Sequence, residues 1–114
     1  MERLDKVISD VKGQSSAADI IEFKAVLQEN NRLQVPVKVR WLFQLEPSQL
    51  WLITVKLGIG IEEQFYGRMD KSGRITVPKL TINLLSQTSE LETLKGQVFE
   101  VSMEKMSRDW NKTG

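Results

Sequence analysis

The apolar positions of this chain form two copies of one pattern behind a separate leading segment. In that segment Leu4, Val7, Ile8 and Val11 stand at i, i+3, i+4 and i+7, which puts them on one face of a helix. Glu2 and Lys6 add an (i, i+4) pair in the favourable order, and Gly13 is a natural stop before the linker Gly13-Gln14-Ser15-Ser16-Ala17-Ala18. A helix this short is marginal alone. It is expected either to cover the body of its own domain or to serve as a dimerisation helix.

Beyond the linker, a slide of forty-two positions lays Phe23 on Phe65, Arg32 on Arg74, Val35-Pro36 on Val77-Pro78 and Leu42 on Leu84. Those five identities fall within twenty-one positions, where Leu27/Met69, Leu33/Ile75 and Phe43/Leu85 are conservative exchanges, so an internal repeat is the economical reading. The second copy then carries about six extra residues around Ser86 to Leu94, after which Ser48-Gln49-Leu50-Trp51-Leu52-Ile53 realigns with Gly96-Gln97-Val98-Phe99-Glu100-Val101.

Each copy predicts the same succession of elements. A first strand (20–28, 61–69) leads into a polar turn, Glu29-Asn30-Asn31 or Asp70-Lys71-Ser72-Gly73, whose Asn and Gly tolerate positive φ. The return strands (32–35, 74–77) alternate faces, and Pro36 and Pro78 end them by removing an N–H while suiting the first position of a helix. Val39, Leu42 and Phe43 supply an apolar helical stripe in one copy, and Leu80, Leu84 and Leu85 in the other. A last strand (50–57, 97–103) closes each unit. Trp41, Trp51 and Phe43 are expected in the core. The domain plan is therefore an N-terminal helix and linker (1–19), one domain of two repeats (20–61 and 62–106), and a tail (107–114). In that tail Trp110 either docks on the domain or anchors a partner.

Composition narrows the chemistry more than the fold. With 40% apolar and 27% charged residues the chain is an ordinary globular sequence rather than a disordered or fibrous one. No apolar run approaches the length of a membrane helix, and Met1-Glu2-Arg3-Leu4-Asp5-Lys6 does not read as a signal peptide, so a soluble, cytoplasmic protein with no membrane association is expected. There is no Cys and no His, which removes the thiol nucleophile, the thiolate site and the commonest general base. The carboxylate pairs Glu62/Glu63 and Glu100/Glu104 have no partner base or phosphate loop. No enzyme, metal or cofactor is expected. Sixteen Lys and Arg nearly balance fifteen Asp and Glu, but residues 20–61 carry an excess of two positive charges and residues 62–106 an excess of one negative. Phosphate contact, if any, should favour the first half.

The run Asp70-Lys71-Ser72-Gly73-Arg74-Ile75-Thr76-Val77-Pro78-Lys79 resembles the signature hairpin of the AbrB/SpoVT swapped-hairpin domains, and Glu29-Asn30-Asn31-Arg32-Leu33-Gln34-Val35-Pro36-Val37-Lys38-Val39-Arg40 is a looser match to it. Two such units in one chain resemble the MraZ-type arrangement. The resemblance implies a small pseudo-twofold β-barrel of two β-β-α-β units, mainly β with short helices. It also implies double-stranded DNA as partner, in a small transcriptional regulator or chromatin-like protein. Carried over by position, Arg32 and Arg74 follow the two turns, Lys38 and Lys79 lie just past the prolines, Arg40 sits on the first helix, and Arg68 and Lys71 flank the second hairpin. The competing reading is a non-catalytic protein-interaction module, or a self-associating one, whose contact is the N-terminal helix or the Trp110 tail.

Overall fold

The computed structural model describes residues 20–106, so the expected N-terminal helix and the Trp110 tail lie outside the described residues. In chain order the elements are β1 (Ile20–Val26), a 3-10 turn (Glu29–Asn31), β2 (Arg32–Gln34), α1 (Val37–Leu42), β3 (Leu50–Lys56), β4 (Glu62–Arg68), β5 (Arg74–Thr76), α2 (Lys79–Ser89) and β6 (Val98–Lys105). The fold is mainly β with short helices. The turns use the backbone freedom that their residues permit: Asn30 and Asn31 have φ of 62° and 57°, and Gly73 has 83°.

Four strands form an antiparallel sheet in the order β1-β6-β3-β4, and β2 pairs with β5 in a separate two-stranded ribbon. Every one of these ladders joins the first repeat to the second. The registers obey a pseudo-twofold relation: Phe23 opposite Val101 is repeated as Phe65 opposite Ile53. The axis passes through Thr54 opposite Ser102 in the sheet and Leu33 opposite Ile75 in the ribbon. Backbone bonds outside the strands follow it too. Val35 N–H donates to the Gly73 carbonyl and Val77 N–H to that of Asn31, both at 2.8 Å. Within a repeat, strand pairing shrinks to the isolated bridges Gln28–Arg32 and Met69–Ile75. One repeat alone would leave nearly all of its strand N–H and C=O groups unpaired, so the two must fold together.

The sheets do not close into the expected barrel. The ribbon covers the inner face of the four-stranded sheet, but only those single bridges link it to the outer strands β1 and β4. Its strands are three residues long, and Pro36 and Pro78 remove the N–H groups that further rungs would need while turning the chain into α1 and α2.

Alternation decides the core. Ile21, Ala25, Trp51, Ile53, Val55, Phe65, Phe99, Val101 and Met103 point inward from the sheet, and Leu33, Val35, Ile75 and Val77 meet them from the ribbon. Leu33 and Val77 pack beside Val55, Phe99 and Leu85. Each fully buried aliphatic or aromatic side chain contributes about 1.5–3 kcal/mol of transfer free energy.

The helices depart from the expected stripes. In α2 the inward residues are Thr81 and Leu85, with Ile82 partly buried, whereas Leu80 and Leu84 are exposed. In α1 only Val39 packs on the core, while Leu42 is exposed and Trp41, expected inside with Trp51, is 79% exposed. Phe43, also expected inside, is 43% exposed, against 0% for its repeat counterpart Leu85. The reason is length. α1 ends after six residues and Phe43 falls at its C-cap, so the helix has no second turn to carry that side chain inward.

Leu33 and Ile75 sit on the pseudo-twofold axis and are completely buried. Replacing either with Ala is expected to cost about 2–5 kcal/mol, whereas Thr76→Ala, on the outer face of the same ribbon, should stay within about 0.5 kcal/mol. Urea unfolding with unchanged m-values checks both.

Candidate nucleic-acid interface

Because Leu33 and Ile75 face inward, the pleat turns Arg32, Gln34, Arg74 and Thr76 to the outer face of the ribbon. The register sets Arg32 opposite Thr76 and Gln34 opposite Arg74, so the two arginines, one from each repeat, are diagonal neighbours. Both line one open cleft, together with Glu29 and Lys95. Lys95 forms an ion pair with Glu29 across that cleft. The hydrogen bond from Lys95, and then its charge, hold the Glu29 carboxyl below the usual carboxylate range.

The second turn is built around Asp70. Its carboxylate accepts the Ser72 N–H at 2.8 Å and the Arg74 N–H at 2.9 Å, an Asx-type closure that orders the hairpin. The Arg74 N–H is the main reason that the Asp70 carboxyl lies below its ordinary value. The Ser72 N–H and the charges of Arg32 and Arg74 push the same way, and slight burial opposes them. The Gln34 side-chain amide donates to the carbonyls of Ser72 (3.0 Å) and Gly73 (3.2 Å), latching the first repeat onto the turn of the second.

Arg40 belongs to this latch. A Cβ on Gly73 would lie 2.5 Å from Cζ of Arg40 and 2.6 Å from its Nε, so the guanidinium rests on the bare glycine backbone. Its Nε is buried without a hydrogen-bond partner among the described residues. Arg40 thus packs across the repeat interface, while its counterpart Ile82 does so by apolar contact with the core.

The remaining candidates are spread around this centre. Lys71 is exposed in the Asp70 turn, and Lys38 and Lys79 are exposed at the starts of α1 and α2. The helix starts are carried to opposite ends of the ribbon by the Val35–Gly73 and Val77–Asn31 bonds. Arg68 does not join them. It stands on the outward face of β4, where its Nε donates to the Ser48 carbonyl at 3.0 Å. Two contributors escaped the sequence reading. Lys95 lies at the end of the insertion that has no counterpart in the first copy, and Gln34 carries no charge to mark it.

The far side of the molecule has the opposite balance. The outward positions of the four-stranded sheet carry Glu22, Glu62, Glu100 and Glu104 against Lys24, Lys56 and Arg68. Registers place Lys24 opposite Glu100, Glu100 opposite Lys56, and Lys56 opposite Glu62, an alternating row that neutralises itself. Among the described residues, the acidic groups in the cleft and its bordering turn on the ribbon side are Glu29 and Asp70. Among the described helices none is long and apolar enough to cross a membrane.

Gly73→Ala should destabilise by more than about 1 kcal/mol, from the left-handed φ together with the collision with Arg40. In a double-mutant cycle Arg40→Ala should recover part of that cost and leave the φ strain behind. Asp70 gives a pH test. Its carboxyl lies below the ordinary 3.8, so its contribution to stability is present above that value and is lost as pH falls through the lower folded value. Asp70→Asn should therefore flatten the acid limb of a stability–pH profile, read by denaturant midpoints at successive pH values.

No family model and no curated protein matches the chain. A solved structure that it does resemble is "The solution structure of PHS018 from pyrococcus horikoshii", with a TM-score of 0.62 and 20% sequence identity. The match covers 76% of this chain and 94% of that one, a likeness of fold.

Proposed function

We propose that the chain is a non-catalytic DNA-binding protein, of the small transcriptional-regulator or chromatin-like kind, that holds duplex DNA against the outer face of the β2–β5 ribbon. The observation that carries this reading is the juxtaposition of Arg32 and Arg74. They come from different repeats, lie diagonally on one surface and line one open cleft with Lys95. Lys71, Lys38 and Lys79 extend the positive surface toward both ends of the ribbon. Arg68 and Arg40 have lesser parts in this arrangement: one is turned to the other face, and the other is engaged with the Gly73 turn.

Half-buried arginines on the outer face of a two-stranded ribbon suit phosphate and groove contact, because a ribbon of this width enters the major groove and its register holds the side chains in place. The near-neutral net charge argues for a localised footprint instead of indiscriminate coating.

Fluorescence anisotropy with a labelled mixed-sequence duplex, from low to physiological salt, tests the proposal. Binding should weaken along a straight line of log K against log salt. Arg32→Ala/Arg74→Ala should lower affinity and make the slope shallower by about two phosphate contacts. Lys24→Ala/Lys56→Ala on the far face should leave the slope unchanged. Absence of binding at low salt by the folded protein would overturn the reading.

A further inference from the structure

The two repeats differ most on their helices. In α1 the side chains of Val37, Trp41, Leu42 and Phe43 are all exposed, an apolar surface around a tryptophan that is 79% exposed. At the positions of the second repeat equivalent to Val37 and Trp41 stand Lys79 and Asn83, the equivalent of Phe43 is the buried Leu85, and the equivalent of Leu42 is Leu84, 37% exposed against 69%. The exposed apolar surface is therefore larger on α1, where it is built around a tryptophan, than on α2, where Leu80 and Leu84 stand among polar residues.

The topology shows what lies within reach of that surface. β1 begins where β6 ends, Ile20 opposite Glu104, and Met106 N–H donates to the Leu50 carbonyl at the start of β3. Leu50 is opposite Arg68 at the end of β4, and the Asp70 turn follows directly. α1 is attached to that turn by the Val35–Gly73 bond and by Arg40 lying on Gly73. The start of β1 and helix α1 thus share one end of the molecule. Residues 1–19 precede β1, and they include the stripe Leu4, Val7, Ile8 and Val11. Residues 12–19 can bridge up to roughly 25 Å when extended. The second repeat is introduced by the tight Gly58-Ile59-Gly60 connection, so it has no leading amphipathic segment of its own.

From this match we infer that the N-terminal segment of the same chain docks on α1, with Leu4, Val7, Ile8 and Val11 covering Val37, Trp41 and Leu42. The amphipathic segment and the uncovered helix occur on the same repeat and at the same end of the fold. Joining them buries two apolar faces at the small entropic cost of closing a short linker.

Trp41 reports on the contact. The experiment uses the full chain with Trp110→Phe, which leaves Trp41 and the core residue Trp51 as the emitting side chains. Acrylamide quenching and light-scattering mass are measured with and without Val7→Asp/Ile8→Asp. Docking predicts a monomer in which Trp41 resists quenching, and a severalfold rise in its quenching constant in the Asp variant while Trp51 stays protected. Equal, efficient quenching of Trp41 in both proteins would overturn the inference. So would shielding that survives the Asp substitutions, which assigns the cover to the tail, or shielding that is lost on dilution with a dimer mass, which assigns it to a second copy. Because the chain has no native Cys, Ile8→Cys/Leu42→Cys offers a second test that needs no charge insertion. An intramolecular crosslink with a short bismaleimide is expected, and its absence in folded monomer would overturn the contact.

Discussion

The structure depends on one constraint: the strands of each repeat find their ladder partners in the other repeat. β1 needs β6, β4 needs β3, and β2 needs β5, while the pairings inside a repeat are single bridges at the turns. An isolated unit would expose rows of backbone donors and acceptors and bury little apolar surface. Carrying both units in one chain makes their encounter intramolecular, so assembly does not depend on protein concentration. The apolar core lies between the two products of this exchange, the sheet and the ribbon, with Leu33 and Ile75 meeting on the axis.

The same exchange makes the candidate interface. Arg32 and Arg74 are forty-two residues apart, and neither turn alone could set them side by side. The ribbon register does so, and the latches around Asp70, Gln34 and Arg40 then order the surrounding backbone. Perfect symmetry is broken where the chemistry is most exposed. Arg40 gives way to Ile82, Val37 and Trp41 to Lys79 and Asn83, and an insertion supplies Lys95 to one side of the cleft. A duplicated scaffold tolerates such divergence because the paired backbone and inward side chains carry stability, which leaves outward positions free to differ.

The amino-acid sequence by itself determined the repeat, the order of elements and the strand limits to within one or two residues. Those rest on local rules: period-two alternation, Asn and Gly at positive φ, and proline ending a strand. It also marked Arg32 and Arg74 as equivalent residues following equivalent turns. Only the tertiary structure decided which strands pair, because hydrogen-bond partners far apart in sequence leave no local trace. It decided that a three-residue ribbon ended by proline leaves the sheets unclosed, that Phe43 stays partly in solvent because α1 stops before it, that Trp41 lies on the outward face of α1, and that Lys95 pairs with the distant Glu29. Periodicity reports which face of an element is apolar. Whether another element is long enough and near enough to cover that face is settled by packing.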